Sequence, residues 1–305
     1  MRILLTGAAG QLGRELVPRL AQYGEVVGVD RAAASTAETA LQQDLGDAAA
    51  VERLLGDVRP ALIVNAAAHT AVDRAEAERA QAFRLNAELP AWLARWARVN
   101  DAPLLHYSTD YVFPGAAQRP YTEDDPVGPL NVYGESKLAG EQAVSDSGCR
   151  HVTLRTSWVW SGHGHNFVLT MLRLAAERES LDVVDDQRGR PTWARSLARV
   201  SSWVVERWRS GAVKEPLAGL YHYADATALS WFGFAERIFE VGRRLGLIDR
   251  VPGLRPVGSD AFEQAAKRPA WSVLDTSRIE QALDFRPPGV DECLEACLEG
   301  LRNDR

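Results

Sequence analysis

Tyr133 and Lys137 stand four residues apart in Tyr133-Gly-Glu-Ser-Lys137, and Thr109 lies twenty-four residues before the tyrosine. On a helix, that spacing puts the tyrosine and the lysine on one face. A free tyrosine hydroxyl has a pKa of about 10 and is a poor acid or base near neutrality. A cation held beside it favours the phenolate and brings it toward the working range. The Thr109 hydroxyl can donate a hydrogen bond to a substrate oxygen. Together the three can polarise a carbonyl and deliver a proton to it. Segment 131–147 reads as the helix carrying the pair, with no proline inside it. A YxxxK match by itself is common on solvated helix faces, so its weight depends on the elements around it.

Those elements begin with a strand, Ile3 to Thr6, that runs into Gly7-Ala-Ala-Gly10-Gln-Leu-Gly13. The helix that follows has Leu12, Leu16, Val17 and Leu20 on one side. Glycines in such a turn allow a tight bend, a close approach of a pyrophosphate to the amides, and packing of helix on strand. The spacing is GxxGxxG, and its place between strand and helix gives it force. A second strand, Val26 to Val29, ends in Asp30-Arg31, seventeen residues after the last glycine for the acid. Asp30 can accept hydrogen bonds from ribose hydroxyls, as NAD sites do. Arg31 can pair with the 2′-phosphate of NADPH or lie over adenine. Both are expected on an exposed edge where they can swing, so use of NADPH and NADH alike is expected.

Further strand–helix units follow. Asp44-Leu45 precedes a helix bearing Val51, Leu54 and Leu55, and Ala61 to Val64 is apolar throughout, as a strand buried on both faces should be. It ends in Asn65-Ala66-Ala67-Ala68, small residues against which a flat ring could lie; His69 reads as a loop hydrogen-bonder. A helical stretch over about 74–99 contains Pro90, which predicts a kink or break. The strand Leu104 to Ser108, including Tyr107, delivers Thr109-Asp110-Tyr111. A loop with four prolines then precedes the Tyr133 helix, and connections that long are usually functional. The strand 151–157 leads into Trp158-Val-Trp160, where alternation sends one indole inward.

Regular alternation predicts a doubly wound parallel sheet of Rossmann type with ligands at the carboxyl ends of its strands. The glycines, Asp30, Ala66–Ala68 and Thr109 all fall at such ends. The expected division is a dinucleotide-binding domain over 1–160 and a smaller, mainly substrate-binding α/β region over 161–305, some of whose elements return to the first. In that second part, helices are expected near 166–179, 194–209 and 230–246 and from about 290, with strands at 181–184 and 220–223. Arg188, Arg190, Lys267 and Arg268 are loop cations able to hold a diphosphate, while His163 and His165 read as surface residues.

Composition narrows the function classes. The chain of 305 residues is 46% hydrophobic and 25% charged, ordinary for a globular protein. A net charge of −6 argues against nucleic acid as a partner. No apolar run reaches the roughly eighteen residues of a spanning helix, so no membrane partner is expected. Met1 leads directly into the first strand, no signal peptide is expected, and three cysteines suit a reducing cytoplasm. Cys293 and Cys297 read as buried small hydrophobes rather than metal ligands. The one biased stretch is alanine-rich, near 32–50.

With these pieces together, the chain resembles the extended short-chain dehydrogenase/reductase superfamily and, within it, the dTDP-4-dehydrorhamnose reductase family. The resemblance is carried by Leu4–Gly13, Asn65–Asp73, Ser108–Phe113, Tyr133–Glu141, Arg155–Val159, Asp186–Thr192 and Arg268–Ser272, in order along nearly the whole chain. It implies hydride transfer from NADPH or NADH to C4 of dTDP-4-dehydro-β-L-rhamnose, with Tyr133 as general acid. Lys137 is implied to tune Tyr133 and hold the nicotinamide ribose, and Thr109 to hydrogen-bond the sugar. Asp110, Tyr111 and Trp158 match positions around the sugar and nucleotide, and Arg190 and Arg268 are expected there too. The dinucleotide is expected along Gly7, Gly10, Gln11, Leu12, Gly13, Asp30, Arg31, Asp44, Leu45, Ala66, Ala67, Ala68 and Tyr107, ending at Tyr133 and Lys137. Glu15 matches an acid that some relatives use in a Mg²⁺-linked dimer. Their companion acid is Arg195 here, so Mg²⁺ is doubtful and either a monomer or a homodimer is open. Dehydratases of the superfamily usually follow the threonine with Asp-Glu; Asp110-Tyr111 supplies no such second base. A non-catalytic reductase-like subunit has no chemical need for Thr109, Tyr133 and Lys137 together.

Overall fold

The computed structural model describes residues 1–31, 37, 39–210 and 217–303. Its first half alternates β1 (Arg2–Thr6), α1 (Gln11–Leu20), β2 (Glu25–Asp30), β3 (Thr39–Gln42), α2 (Ala48–Val58) and β4 (Leu62–Asn65). Then come α3 (Val72–Ala77), α4 (Arg79–Phe83), α5 (Leu89–Val99), β5 (Leu104–Thr109), α6 (Val132–Asp146) and β6 (His151–Thr156). With the later strand Gly219–His222, the main sheet runs Gly219–His222, β6, β5, β4, β1, β2, β3, every neighbour parallel. The order reverses between β1 and β4, which opens a crevice at the carboxyl ends of the strands.

Alternating side chains of the strands feed two cores. Ile3 and Leu5 of β1 join Val64 and Leu105 beneath α1 and the helix Ala194–Ser210. Leu4, Val27 and Ile63 face the other way, toward α2 and α5. Period-two alternation with apolar residues at every position is what helices on both faces demand. Asp47 caps α2 by accepting from Ala49 N at 2.9 Å, and Asn131 caps α6 by accepting from Gly134 N at 2.8 Å. The latter cap starts the helix that carries Tyr133 and Lys137.

The chain continues through α7 (Phe167–Glu177), α8 (Ala194–Ser210) and α9 (Trp231–Arg244) to a last helix, Val290–Asn303. Helices α7, α9 and the last one enclose a third core around Trp160, Phe234 and Leu294. By contrast α8 packs on α1, and Gly219–His222 joins β6, so both belong with the main sheet.

Two features differ from expectation. The single helix over 74–99 is three helices, broken at Glu78 and by a π-turn over Arg84–Glu88. Pro90 lies in the first turn of α5, directly after that π-turn, so the expected break falls just before it, where its missing N–H is tolerated. Strands at Thr39–Gln42 and Gly253–Val257 and a helix at Ser277–Leu283 had no periodic signal. The first two are mostly exposed edge strands, for which alternation of burial is absent. Within the alanine-rich stretch, residues 32–36 and 38 lie outside the described residues.

Candidate active site

The glycine turn is set by close backbone approach. Gly7 has φ 70°, and a Cβ there would meet the backbone of Ala66 and Ala67 at 2.7 Å. A Cβ on Gly13 would come within 2.1 Å of the Gly7 carbonyl, so α1 can pack on the turn only without a side chain there. Helix α1 begins at Gly10 with no side-chain cap. Its first N–H groups therefore face the cleft with the positive end of the helix behind them, a ready anion site.

The cleft has a volume of about 1320 Å³, more than one ligand of ordinary size needs. Gly7, Gly10, Gln11, Leu12, Gly13, Asp30, Arg31, Asp44, Leu45, Ala66, Ala67, Ala68 and Tyr107 all line it. So do Thr109, Asp110, Tyr111, Tyr133, Lys137 and Trp158. These residues fit a dinucleotide: amides at the turn, a carboxylate and a guanidinium at the end of β2, and alanines at the end of β4.

Several details depart from the sequence reading. Asp30 does not swing, since its Oδ2 accepts from Ala9 N at 3.0 Å and ties β2 to the glycine turn. Arg31 is exposed. Tyr107 presents its backbone to the site while its hydroxyl meets Ser201 Oγ at 2.7 Å. Arg190 does not line the cleft: its guanidinium donates to the carbonyls of Asp225 (2.7 Å) and Leu274 (2.8 Å). Bound to backbone, it holds loops together and is corrected from a phosphate ligand to a structural cation. Arg268 also stands off the cleft lining, donating from Nη2 to Asp73 Oδ2 at 2.6 Å and from Nη1 to Oδ1 at 3.1 Å. That pairing holds the Asp73 carboxyl below its ordinary range.

At the reacting end, Thr109 Oγ1 donates to Asp110 Oδ1 at 3.0 Å and accepts from Tyr111 N at 3.2 Å. Burial pushes the Tyr133 hydroxyl up to about 12, with a Thr109 hydrogen bond pulling the other way. Burial pushes Lys137 down to about 8, countered by Glu141, and its Nζ donates to the Tyr107 carbonyl at 2.6 Å. The lysine thus gives its hydrogen bond to β5. Tyr133, pushed up by burial, is protonated at neutral pH, the form a proton donor requires. Burial also pushes the Asp110 carboxyl up to about 7, against hydrogen bonds from Ser272 and Thr109.

Sequence reading missed the residues behind this group. His106 is fully buried and meets Asn65 Nδ2 at Nδ1 (3.0 Å), while Asn65 Oδ1 accepts from Thr6 Oγ1 at 2.6 Å. Burial, with the Lys137 charge second, keeps that imidazole neutral. Asn86, in the π-turn, accepts from His69 N at 2.8 Å and donates to Ser136 Oγ at 3.0 Å, joining the loop after β4 to α6. His69 is a loop hydrogen-bonder, meeting Glu78 at 2.9 Å. Nothing in an apolar strand or a helical stretch marks such residues. Trp231 and His165, neither expected at the site, also line the cleft.

The metal expectation meets different chemistry. Glu15 Oε2 accepts from Arg195 Nε at 3.1 Å, and among the described residues no group of three or more His, Cys, Asp or Glu could hold a metal ion. A guanidinium against Glu15 is a poor donor set for a cation. All three cysteines are free and buried.

Fold and site together define a Rossmann-type oxidoreductase of the extended short-chain dehydrogenase/reductase class. Residues 1–303 match the family model described as RmlD substrate binding domain. The dTDP-4-dehydrorhamnose reductase of Shigella flexneri is 43% identical over 281 residues, 92% of this chain and 91% of the relative. A solved dTDP-4-dehydrorhamnose reductase from Clostridium acetobutylicum superposes with a TM-score of 0.87 at 34% identity, over 99% of this chain and all of that one. The Bacillus anthracis enzyme, solved in complex with NADP, gives a TM-score of 0.87 at 32% identity, covering 98% and 99%. The chain belongs to the RmlD substrate binding domain family, alongside the dTDP-4-dehydrorhamnose reductases.

Proposed function

We propose that the protein reduces the C4 keto group of dTDP-4-dehydro-β-L-rhamnose to give dTDP-L-rhamnose, using NADPH or NADH. The observation that carries this is that Thr109, Tyr133 and Lys137 line the same cleft as the glycine turn, Tyr133 and Lys137 four residues apart on α6. A bound reduced nicotinamide supplies the hydride that C4 receives. Tyr133 gives its hydroxyl proton to the developing C4 alkoxide, and Thr109, whose one hydroxyl proton goes to Asp110 Oδ1 in this structure, would turn it to the phenolate left behind. Lys137, charged below about pH 8, adds a cation on the same helix face and holds a ribose. Asp110, Tyr111 and Trp158 surround the sugar and nucleotide.

The glycine turn with the uncapped start of α1 takes the pyrophosphate, and Asp30 and Arg31 face the adenosine ribose. Residues 1–160 then supply the dinucleotide half and 161–305 mainly the sugar-nucleotide half. Three buried thiols suit a reducing, cytoplasmic setting. A monomer or homodimer without Mg²⁺ fits the Glu15–Arg195 pair. The test is turnover of enzymatically generated keto sugar, followed by NADPH absorbance and product analysis. Absence of turnover, with NADPH binding intact, overturns the reading.

A further inference from the structure

Among the described residues, four other than glycine have positive φ: Arg59, Asp101, Trp158 and Asp284. Only Trp158, at φ 48°, lines the cleft. A bulky residue in that region is strained and persists only where its surroundings hold it.

Both faces of its ring are covered. Trp231 stacks on one, with ring centroids 3.6 Å apart and planes 4° from parallel. On Gly189, a built Cβ would fall 2.5 Å from Trp158 Cε2 and 2.7 and 2.8 Å from the flanking Nε1 and Cζ2. Distances to an atom and its two ring neighbours that are so nearly equal put the Cβ over the ring plane, not beside its edge. Gly189 therefore backs the Nε1–Cε2–Cζ2 part of the face opposite Trp231, and only glycine leaves room there.

One small ribbon places both covers. Gly189 pairs antiparallel with Leu229 and Arg188 with Ser230, and Trp231 follows at once as the first residue of α9. Trp231 is itself fixed: its Nε1 donates to Gln187 Oε1 at 3.2 Å, and Phe167 packs 4.7 Å from its ring centroid.

We infer that Trp231 and Gly189 are positioning residues that clamp Trp158 edge-on to the nucleotide sugar, so that its indole limits how the sugar sits instead of stacking on it. The inference rests on the reductase reading and adds to it two residues outside the Thr109–Tyr133–Lys137 group.

Circular dichroism of the full-length protein, taken as the difference between wild type and Trp231→Leu, separates any couplet of the Trp158–Trp231 pair from that of the other stacked pair, Trp160 and Trp193. Trp231→Leu loses the couplet and raises KM for the dTDP-keto sugar by about tenfold, while kcat and the Kd for NADPH stay within about twofold. Trp231→Phe keeps a ring on Trp158 and brings KM back to within about threefold of wild type. Gly189→Ala displaces Trp158 from the other face and raises KM in the same way. Trp231→Leu with unchanged KM overturns the clamp. Wild-type turnover in the same assay separates the two readings. No turnover counts against the function, whereas turnover with an unchanged KM in the leucine variant counts against the clamp alone.

Discussion

Replacing Asp110 with asparagine should stabilise the protein, and more so as pH rises. The carboxyl is 2% exposed, and burial pushes it from an ordinary 3.8 up to about 7. Between those values the folded chain holds a proton that the unfolded chain has lost, so stability falls as pH rises through that window and is level above it. Each pH unit is worth about 1.4 kcal/mol, so the ionised carboxylate costs the fold about 4 kcal/mol at pH 8. Asparagine keeps the shape and can still accept from Thr109, but never takes the charge. Relative to wild type, Asp110→Asn should therefore gain about 3 kcal/mol more at pH 8 than at pH 5. In a chain of this size that is roughly 5 °C in Tm. Thermal or urea unfolding of both proteins at the two pH values reads the difference. An equal change at pH 5 and pH 8, or a net loss at pH 8, refutes the argument. A stabilised but slower variant would mark Asp110 as a place where the site is held at the fold's expense.

Tyr133→Phe should keep NADPH binding and lose about 10²–10⁴-fold in kcat, since only the acid is removed; near wild-type turnover in single-turnover assays would sink its assignment. Lys137→Met should weaken NADPH binding and turnover together, seen by titration calorimetry beside kinetics. Glu141→Gln breaks the buried pair with Arg155 (2.7 Å) and should cost about 3–5 kcal/mol in urea unfolding. Because Glu141 also holds the Lys137 pKa up, the alkaline limb of kcat/KM near pH 8 should move to lower pH in that variant. For the cofactor, kcat/KM with NADPH and NADH should agree within roughly tenfold. Arg31→Ala should weaken NADPH selectively, whereas Asp30→Ala should weaken both cofactors because it also frees the Ala9 amide. A wild-type preference above about a hundredfold would contradict dual use.

Much of the fold was legible because its signals are local. Continuous apolar runs marked β4 and β5, the glycine turn marked the join of β1 to α1, and the four-residue spacing put Tyr133 and Lys137 on one helix face. Those depend on residue type and spacing alone, so sequence determined the sheet, the chemistry and the end of the strands where it happens. What tertiary structure decided are the properties set by neighbours far apart in the chain. Arg190 looked like a phosphate ligand until folding surrounded it with the carbonyls of Asp225 and Leu274. Lys137 shares a helix face with Tyr133 as its spacing predicted, but folding buries both groups and brings the ammonium onto the Tyr107 carbonyl. Trp158 could be placed at the site from its motif, but Trp231, seventy-three residues on, decides which part of its ring a ligand can meet. Burial and stacking depend on everything packed around a group, and no window of sequence contains that information.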